Sequence, residues 1–378
     1  MPFCPQVCPY CDFHKMLRNE PLVAAYLGRL EAEAAVLAER FPGPLDTLYL
    51  GGGTPSHLDE TELARVLHAV RSGWGGLGGA ETTLEADPGT FDLERAASWR
   101  EAGITRLSIG MQSTQDDVLR FLGRSHSGAE GLRALELGLA TGLEVSVDVI
   151  TAVPGQDARG DLEAAGASGA QHVSVYTLTV EPFTPFARRG VEVEEDRAAD
   201  DFDLAEEVLA RHGLARYEVS NHARPGFESR HNSVYWRGDY WLALGPSAAA
   251  FEPAALDDPP WALGVRTLNP PIKRWLRDEP AERTPVDGTT LALELLMTGL
   301  RTREGVDVGR LEARTGVDAR QRYPRALEVA LEHELLAFEA NTLRATRAGT
   351  RLLNAVLRRF FEEDPAGALA AGAIQAER

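Results

Sequence analysis

Cysteine is scarce in this chain of 378 residues. The three cysteines all fall within the first eleven positions, at Cys4, Cys8 and Cys11. An odd number of cysteines crowded into so short a stretch cannot form a disulfide framework for the rest of the chain. Metal or redox chemistry at the N-terminus is therefore the better interpretation.

Positive charge and long apolar runs are also in short supply. Lys and Arg total 39 against 57 Asp and Glu, a net charge of −18, which would repel phosphate backbones and anionic lipid surfaces. No stretch reaches the roughly 18 uncharged apolar residues that would span a bilayer, and the N-terminus lacks the regions of a signal peptide. We expect no nucleic-acid partner, no transmembrane segment and a cytoplasmic location.

The first half of the chain alternates between helical and strand-like patterns. Such alternation is typical of βαβ crossovers around a parallel sheet. It predicts an α/β fold, with a full or partial (β/α) barrel over about residues 1–220. The predicted helices cover 22–40, 60–71, 93–102, 129–141 and 161–168, and the predicted strands cover 46–50, 82–86, 106–110, 144–150 and 172–178.

The second half divides into three predicted parts. Residues 221–283 are rich in Pro, Gly, Trp, Tyr and Asp, and are expected to form an irregular connecting segment that lines the site or bridges domains. Residues 284–364 are mainly helical and end in a candidate hairpin, which predicts a small winged-helix-like domain. Residues 365–378 are rich in Ala and Gly and are expected to be a flexible tail.

The cysteine spacing Cys4-x3-Cys8-x2-Cys11 suits an iron–sulfur cluster. Three thiolates on one loop can bind three irons of a [4Fe-4S] cluster and leave the fourth iron open for the amino and carboxylate groups of S-adenosylmethionine (SAM). The alternative is a zinc site, because His14 would complete a Cys3His tetrahedron. CPQVCPYC resembles the radical SAM signature, in which an aromatic residue, here Tyr10, precedes the last cysteine and packs near the cofactor.

A glycine-rich turn follows the predicted strand that ends at Leu50. Gly51-Gly52-Gly53-Thr54-Pro55 lacks both the Lys-Ser/Thr of a P-loop and a GxGxxG pattern, so by itself it indicates only a tight turn. Glycines at the carboxyl end of a barrel strand do allow close approach of a ligand. The radical SAM resemblance implies that Gly52, Gly53 and Thr54 contact the methionyl amino end of SAM.

Charged and amide side chains interrupt three other strand-like runs. Glu85 and Asp148 lie within apolar runs, and Gln112 lies in SIGMQS at a strand end. A buried carboxylate needs a partner, so each one alone is equally well explained by a structural ion pair or a solvated edge. Their occurrence together at successive strand ends favours a ligand pocket.

Successive motifs then resemble one family. LEADPGT, SIGMQS, LGRSHS, DVITAVPGQ and FESRHNSVYW occur in that order, and together they are similar to the oxygen-independent coproporphyrinogen III oxidases and HemW proteins. The resemblance implies that Glu85, Gln112, Arg124 and Asp148 bind SAM. It assigns the two carboxylates to the ribose hydroxyls and Arg124 to the methionyl carboxylate.

Two departures from the family pattern bear on function. The family's strand usually ends in aromatic-x-His-x-Pro-Phe-Cys, whereas this chain begins Met1-Pro2-Phe3-Cys4, so we expect either a start assigned too late or a barrel without its first strand. The oxidases carry a further cysteine where this chain has Phe13, together with an N-terminal segment. On both points the chain resembles the HemW branch.

The segment Arg230-His231-Asn232-Ser233-Val234-Tyr235-Trp236 matches HNxxYW, which the resemblance associates with heme. His231 could bind iron, and Tyr235 and Trp236 could stack on a porphyrin. Asn232, which follows His231, is the fourth residue of the motif that we expect at the heme site. A histidine among aromatic residues is more often a hydrogen-bonded structural residue, and that alternative stays open. The residues expected to meet propionates are Arg224, Arg230 and Arg237.

The leading hypothesis is a HemW-like chaperone that binds heme and transfers it to an unidentified acceptor protein. Its cluster and SAM would support or regulate the transfer, and an electron donor would be a further partner. The alternatives are an oxygen-independent coproporphyrinogen III oxidase and a zinc-stabilised α/β binding protein.

Overall fold

A seven-stranded sheet forms the centre of the first half of the molecule. The computed structural model describes residues 1–364, so the predicted flexible tail over 365–378 lies outside the described residues. The strand order is β3-β4-β5-β6-β7-β9-β8, in which β3 to β7 are parallel and β9 and β8 run antiparallel to their neighbours. Strands β3 and β8 lie at the two edges, so the described sheet is a partial barrel.

The bounds of these elements follow the predicted alternation closely. A short parallel pair, β1 (Phe3–Cys4) with β2 (Met16–Leu17), precedes the sheet. The sheet strands are β3 (Thr47–Leu50), β4 (Glu81–Ala86), β5 (Arg106–Gln112), β6 (Glu144–Thr151), β7 (His172–Thr177), β8 (Ala215–Arg216) and β9 (Asn221–Ala223). The helices of this half are α1 (Glu20–Arg40), α2 (Glu60–Trp74), α3 (Leu93–Glu101), α4 (Asp116–Phe121), α5 (Gly128–Ala140), α6 (Ala158–Ala167), α7 (Pro185–Arg188) and α8 (Glu195–Arg211).

The two faces of the sheet have opposite chemistry. Leu107, Val147 and Val173 are fully buried in one apolar cluster with residues of the surrounding helices. Because side chains alternate along a strand, the neighbouring positions face the other way, and the register aligns Glu85 with Ser108 and Asp148 with Ser174 there. The inner face of the partial barrel is therefore polar, and it can bind a polar ligand without disturbing the apolar core.

Residues 221–283, predicted as an irregular connecting segment, hold more regular structure than the sequence indicated. They contain two short helices and most of a three-stranded antiparallel sheet, of order β10-β11-β12. The elements are too short, and too widely separated by loops rich in Pro and Asp, to produce a readable periodicity. They are α9 (Arg230–Trp236), β10 (Ala249–Glu252), β11 (Gly264–Leu268), α10 (Ile272–Trp275) and β12 (Glu282–Val286).

The C-terminal part has the predicted helices and hairpin. A separate apolar cluster, which includes Leu296, Tyr323, Leu343 and Phe360, forms its core. The division of the chain at residues 220 and 283 stays a prediction. The elements are α11 (Gly288–Gly299), β13 (Val306–Asp307), α12 (Val308–Thr315), α13 (Ala319–Arg322), α14 (Pro324–Glu332), β14 (Leu336–Glu339), β15 (Thr342–Ala345), α15 (Arg347–Arg351) and α16 (Leu353–Glu363).

Across the described residues 1–364, no helix is both long enough and apolar enough to cross a membrane.

Candidate cofactor site and the adjoining cavity

The three cysteines lie on one loop beside the carboxyl end of the partial barrel. Cys4 and Cys8 are buried, Cys11 is half-buried, and none of them forms a disulfide. The loop is closed by a hydrogen bond from the Cys11 amide to the Cys8 carbonyl oxygen, at 3.3 Å. Three free thiols on a short, partly buried loop are a donor set that fits an iron–sulfur cluster.

Cationic groups lie next to these thiols. The Arg124 guanidinium donates to the Cys8 sulfur at 3.7 Å, and the Lys15 ammonium donates to the carbonyl oxygens of Cys11 and Phe13. Burial raises the pKa of the Cys4 and Cys11 thiols, although a hydrogen bond from Thr54 opposes the shift at Cys4. Positive charge nearby stabilises the thiolate form of cysteine, which is the form that binds metals.

The position of His14 does not support a Cys3His zinc site. Its Nε2 atom accepts a hydrogen bond at 3.3 Å from the backbone amide of Ile272, which begins α10. Within residues 1–364 there is no group of three or more His, Cys, Asp or Glu side chains arranged to hold a single metal ion. His14 therefore has a hydrogen-bond partner other than a metal.

Tyr10, predicted to pack near the cofactor, contacts an apolar cluster. Its ring lies 6.3 Å from that of Phe186, at the edge of an apolar cluster on the carboxyl side of the sheet. Burial raises the pKa of the Tyr10 hydroxyl group, with the charge of Arg124 acting in the opposite direction. The aromatic residue thus packs the cysteine loop against Phe186.

The glycine turn holds the cysteine loop against the sheet. The Gly53 amide donates to the Met1 carbonyl oxygen at 2.5 Å, and the Thr54 amide donates to the Phe3 carbonyl oxygen at 2.9 Å. A Cβ atom at Gly53 would lie 2.8 Å from that Phe3 oxygen, and Gly52 has a φ of +117°, so larger residues would push the loop away. The turn has a structural role in addition to the predicted contact with SAM.

Glu85 lies on the inner face of the barrel beside this turn. Its carboxylate accepts hydrogen bonds from the Tyr49 hydroxyl group at 2.8 Å and from the Gly52 amide at 3.0 Å. Burial raises the pKa of Glu85, and these two hydrogen bonds oppose the shift. The carboxylate is thus held at the strand end in a fixed orientation.

Asp148 lies two strands away on the same face. Its carboxylate accepts hydrogen bonds from the Ser108 hydroxyl group at 3.1 and 3.2 Å. Burial, together with the nearby charge of Glu85, raises the pKa of Asp148 to about 6, although Ser174 and Ser108 oppose the shift. Two carboxylates that influence each other electrostatically inside one open space are suited to hydroxyl groups of a ligand.

Gln112 has a strained backbone and an unpaired side-chain oxygen. Its φ of +66° lies in the left-handed region, and the pairing of β5 with β6 shifts register just before it. Its buried Oε1 atom has no hydrogen-bond partner among the described residues. Strain and an unsatisfied polar group at one position are typical of ligand sites, so Gln112 stays a candidate for SAM binding.

Arg124 is already bound to protein groups. Its Nη2 atom donates to the Asp87 carboxylate at 2.5 Å and to the Gly110 carbonyl oxygen at 3.1 Å, while its buried Nε has no partner in the described chain. A ligand carboxylate could reach the guanidinium only by sharing it with Asp87. The geometry suits a residue that links the cysteine loop to β4 and β5.

Helix α9, which carries the HNxxYW segment, is attached to the barrel by Glu81 at the start of β4. The Glu81 carboxylate accepts hydrogen bonds from the Arg230 amide at 3.0 Å and the His231 amide at 2.9 Å. Ser229 caps the helix by accepting from the Asn232 amide at 3.1 Å. The same strand thus carries Glu81 beneath α9 and Glu85 in the candidate SAM pocket.

Both ring nitrogens of His231 are engaged. Nδ1 is 2.8 Å from the Thr47 hydroxyl group and Nε2 is 2.7 Å from the Tyr235 hydroxyl group, while the ring stacks on Tyr49. Burial lowers the pKa of His231 to about 4, with the charge of Glu81 opposing the shift. The imidazole is therefore neutral near pH 7, and it faces the barrel.

The other three residues of the motif line a cavity of about 680 Å³. Asn232, Tyr235 and Trp236 form one wall, and residues of β10, β11, β12 and α11 form the others. Tyr176 of β7 lines the cavity as well, and burial together with the nearby charges of Asp148 and Glu85 raises the pKa of the Tyr176 hydroxyl group. The cavity and the candidate SAM pocket therefore lie close together.

The arginines expected near heme propionates do not line this cavity. The Arg230 guanidinium donates to the Gly79 carbonyl oxygen at 3.0 Å, and Arg237 pairs with Glu304 at 3.2 Å. Arg224 is absent from the lining as well, and its amide donates to the Gln171 carbonyl oxygen. The arginines that line the cavity are Arg266 and Arg301, which sequence reasoning missed.

Two family models match this chain. Residues 1–164 match the Radical SAM superfamily, and residues 286–352 match the HemN C-terminal domain. The chain is 32% identical over 377 residues to the heme chaperone HemW of Haemophilus influenzae, a match that covers 96% of this chain and 97% of that protein. The heme chaperone HemW of Escherichia coli is likewise 32% identical over 375 residues.

The chain belongs to the HemW family. A HemW from Synechocystis is 36% identical over 327 residues, which cover 81% of this HemW-family chain and 77% of the relative. Among solved structures, the coproporphyrinogen III oxidase HemN of Escherichia coli superimposes with a TM-score of 0.80 over 95% of this chain and 88% of that one, at 19% identity. This likeness confirms the predicted α/β radical SAM fold.

Several contacts in this HemW-family chain could not be read from the motifs. Tyr49 binds Glu85, Glu81 holds α9, and Asp87 binds Arg124, yet none of the three was a candidate site residue. Asp87 had a signal, since it lies within LEADPGT next to Glu85. Tyr49 precedes the glycine turn by two residues, and its polar tip inside a strand-like run was a second available signal.

Proposed function

We propose that this chain is a heme chaperone that binds heme and passes it to an acceptor protein. The observation that carries the proposal is full-length similarity, at 32% identity, to proteins named heme chaperone HemW. The HNxxYW segment adds support because Asn232, Tyr235 and Trp236 line a cavity of suitable size. The acceptor is a protein that this chain must contact while heme is bound.

We propose further that Cys4, Cys8 and Cys11 hold a [4Fe-4S] cluster and that SAM binds beside it. A reduced cluster with bound SAM supplies one-electron chemistry, so an electron donor is a second expected partner. Glu85 and Asp148 suit the ribose hydroxyl groups, because both carboxylates lie on the inner face of the partial barrel. Gln112 offers an unpaired carbonyl oxygen at the same level.

The remaining pocket residues have narrower proposed roles. Gly52, Gly53 and Thr54 would meet the methionyl amino end, while Tyr10 packs beside the cofactor. The amides of Gly52 and Gly53 already donate within the protein, so their carbonyl oxygens are the groups left for an ammonium ligand. Arg124 would contact the methionyl carboxylate while still bound to Asp87.

The oxidase alternative is not proposed for this chain. The likeness to HemN is 19% identical and therefore concerns the fold alone. Phe13 stands where the oxidases carry their further cysteine, and its side chain is exposed. No contact among the described residues favours a porphyrinogen substrate over heme.

A single anaerobic preparation tests the proposed function. The reconstituted full chain is titrated with hemin and then assayed with coproporphyrinogen III, SAM and a reductant. We expect saturable binding of about one heme per chain, as for one site of this size, and no decarboxylation. Failure to bind heme, or repeated turnover of coproporphyrinogen III, would overturn the proposal.

A further inference from the structure

We infer that the heme ring occupies the cavity between α9, the sheet β10-β11-β12 and α11, and that residues outside the HNxxYW motif form most of its site. The inference rests on the proposed function and specifies where the cargo binds. The volume of the cavity, about 680 Å³, falls within the roughly 300–1,000 Å³ that is typical of small-molecule sites. Three of the four motif residues already face it.

The walls of the cavity suit a flat apolar ligand. Trp241 lines the cavity beside α9, and its ring meets that of Tyr235 edge-on with centroids 4.9 Å apart. Trp241 also contacts Phe251 of β10 at 5.8 Å between centroids. Aromatic faces from two elements therefore lie on the same cavity, and such faces stack on planar ring systems.

The walls also carry polar and charged side chains, and most of the charged ones are paired within the protein. Glu218 accepts hydrogen bonds from the Ser220 amide and the Asn221 side chain, and Glu294 pairs with Arg266. Asn221 is 4% exposed, yet its Oδ1 atom has no hydrogen-bond partner among residues 1–364. An unsatisfied buried oxygen is costly, so Asn221 is a candidate partner for a polar group of a ligand.

The same geometry indicates which iron ligand the cavity offers. His231 is not among the lining residues, and its Nε2 atom is bonded to Tyr235. Met297 of α11 is buried and lines the cavity, as does Tyr235. A thioether and a phenol both bind heme iron in proteins. His231 is thus a positioning residue for Tyr235 in this arrangement.

The cavity opens along the face of the three-stranded sheet. Ala249, Glu282 and Thr284 line it and are exposed, so they lie at its mouth. Thr284 lies on β12 directly opposite Arg266 of β11, which places both side chains on the same face. A large side chain at residue 284 should fill the mouth without disturbing a buried core.

The test compares hemin binding by the full chain and two matched variants. Thr284→Trp places an indole at the mouth, and Thr61→Trp makes the same change at an exposed position of α2, away from the cavity. We expect Thr284→Trp to weaken hemin binding by about tenfold or more and Thr61→Trp to leave it unchanged, as followed by Soret absorbance. Circular dichroism and iron content report folding.

The outcomes separate the two levels of the proposal. Wild-type affinity in a folded Thr284→Trp variant would overturn the cavity assignment and leave the heme-chaperone proposal standing. No hemin binding by the unaltered chain would overturn both. If Thr284→Trp does not fold, Ala249→Trp fills the same mouth from β10, and wild-type affinity in that folded variant is equally decisive against the cavity.

Discussion

The ring of Tyr49 stacks on the ring of His231, with centroids 5.0 Å apart and planes 22° from parallel. The same tyrosine donates its hydroxyl hydrogen to Glu85, at 2.8 Å. One side chain on β3 therefore contacts both the candidate SAM pocket and the helix that carries the heme motif. Changes at either site can reach the other through Tyr49.

Replacing Tyr49 by Phe should separate these two contacts. The ring stack is kept, but Glu85 loses a hydrogen bond that favours its charged form, so the pKa of Glu85 should rise further. The carboxylate is the form that accepts hydrogen bonds from ribose hydroxyl groups. As the pH is lowered, the variant should therefore lose SAM binding at a higher pH than the unaltered chain does. The measurement is the SAM-induced change in the EPR spectrum of the reduced cluster across pH. An unchanged pH profile would contradict the role of Tyr49.

Loss of any one thiol should abolish the cluster. Cys→Ala at Cys4, Cys8 or Cys11 leaves two thiolates, and we expect iron to fall from about four per chain to nearly none after anaerobic reconstitution. His14→Ala is the matched control and should leave iron and sulfide unchanged, because His14 binds the Ile272 amide. One zinc per chain without sulfide would contradict the cluster.

Asp148 should lower the stability of the apo-protein above its own pKa. Its pKa rises from 3.8 in the unfolded chain to about 6, so the folded state binds the proton more tightly and loses this advantage as pH rises through that interval. Asp148→Asn should therefore stabilise the fold at pH 7 to 8 by on the order of 3 kcal/mol at most, with no gain near pH 4.

Thermal unfolding of the apo-protein from pH 4 to pH 8 measures this effect. The exposed Asp257→Asn serves as the control, because it removes the same charge from a solvated position. Asp148→Asn should also weaken the SAM-induced EPR change while iron content stays normal. Loss of the cluster in Asp148→Asn would show that the residue is structural.

Glu81 should act on heme binding through the position of α9. Glu81→Ala removes the acceptor of the Arg230 and His231 amides, so we expect weaker hemin binding with normal iron content and a normal SAM response. Glu81→Gln keeps one carbonyl oxygen and should recover part of the affinity. Equal affinities in the two variants would argue against a positioning role.

The double change His231→Ala and Tyr235→Ala should weaken hemin binding and spare the cluster. It removes the edge-on contact with Trp241 and the bond that holds the Tyr235 hydroxyl group. Because the pKa of His231 is about 4, the wild-type affinity should not change between pH 6 and pH 8 through this group. Undiminished binding by the double variant would remove this segment from the heme site.

The sequence patterns predicted the partial barrel and the strand ends well. The alternation of helix and strand patterns, and the Gly and Pro residues that end them, are local properties of a sequence. The strands at Glu85, Gln112 and Asp148 were each located within a few residues. The sheet β10-β11-β12 was missed, since strands of four or five residues separated by long loops leave no period to read.

Contacts between distant positions were beyond local patterns. Thr47 and His231 are 184 positions apart, and Glu81 and His231 are 150 apart, yet both pairs form hydrogen bonds. Nothing in HNxxYW itself indicates that its histidine faces the barrel while its other residues face a cavity. The directions in which these side chains point depend on how α9 packs against the sheet, and local sequence does not determine that packing.

Strand β4 carries Glu81 near one end and Glu85 near the other. At about 3.3 Å per residue, the two carboxylates are separated by roughly 13 Å of extended backbone. Strand β4 is hydrogen-bonded to a neighbouring strand on each side. A displacement of Glu85 by a ligand should therefore be transmitted along β4 to Glu81, which binds α9. Coupling between two binding sites is reciprocal, so heme binding beside α9 should in turn change the affinity for SAM.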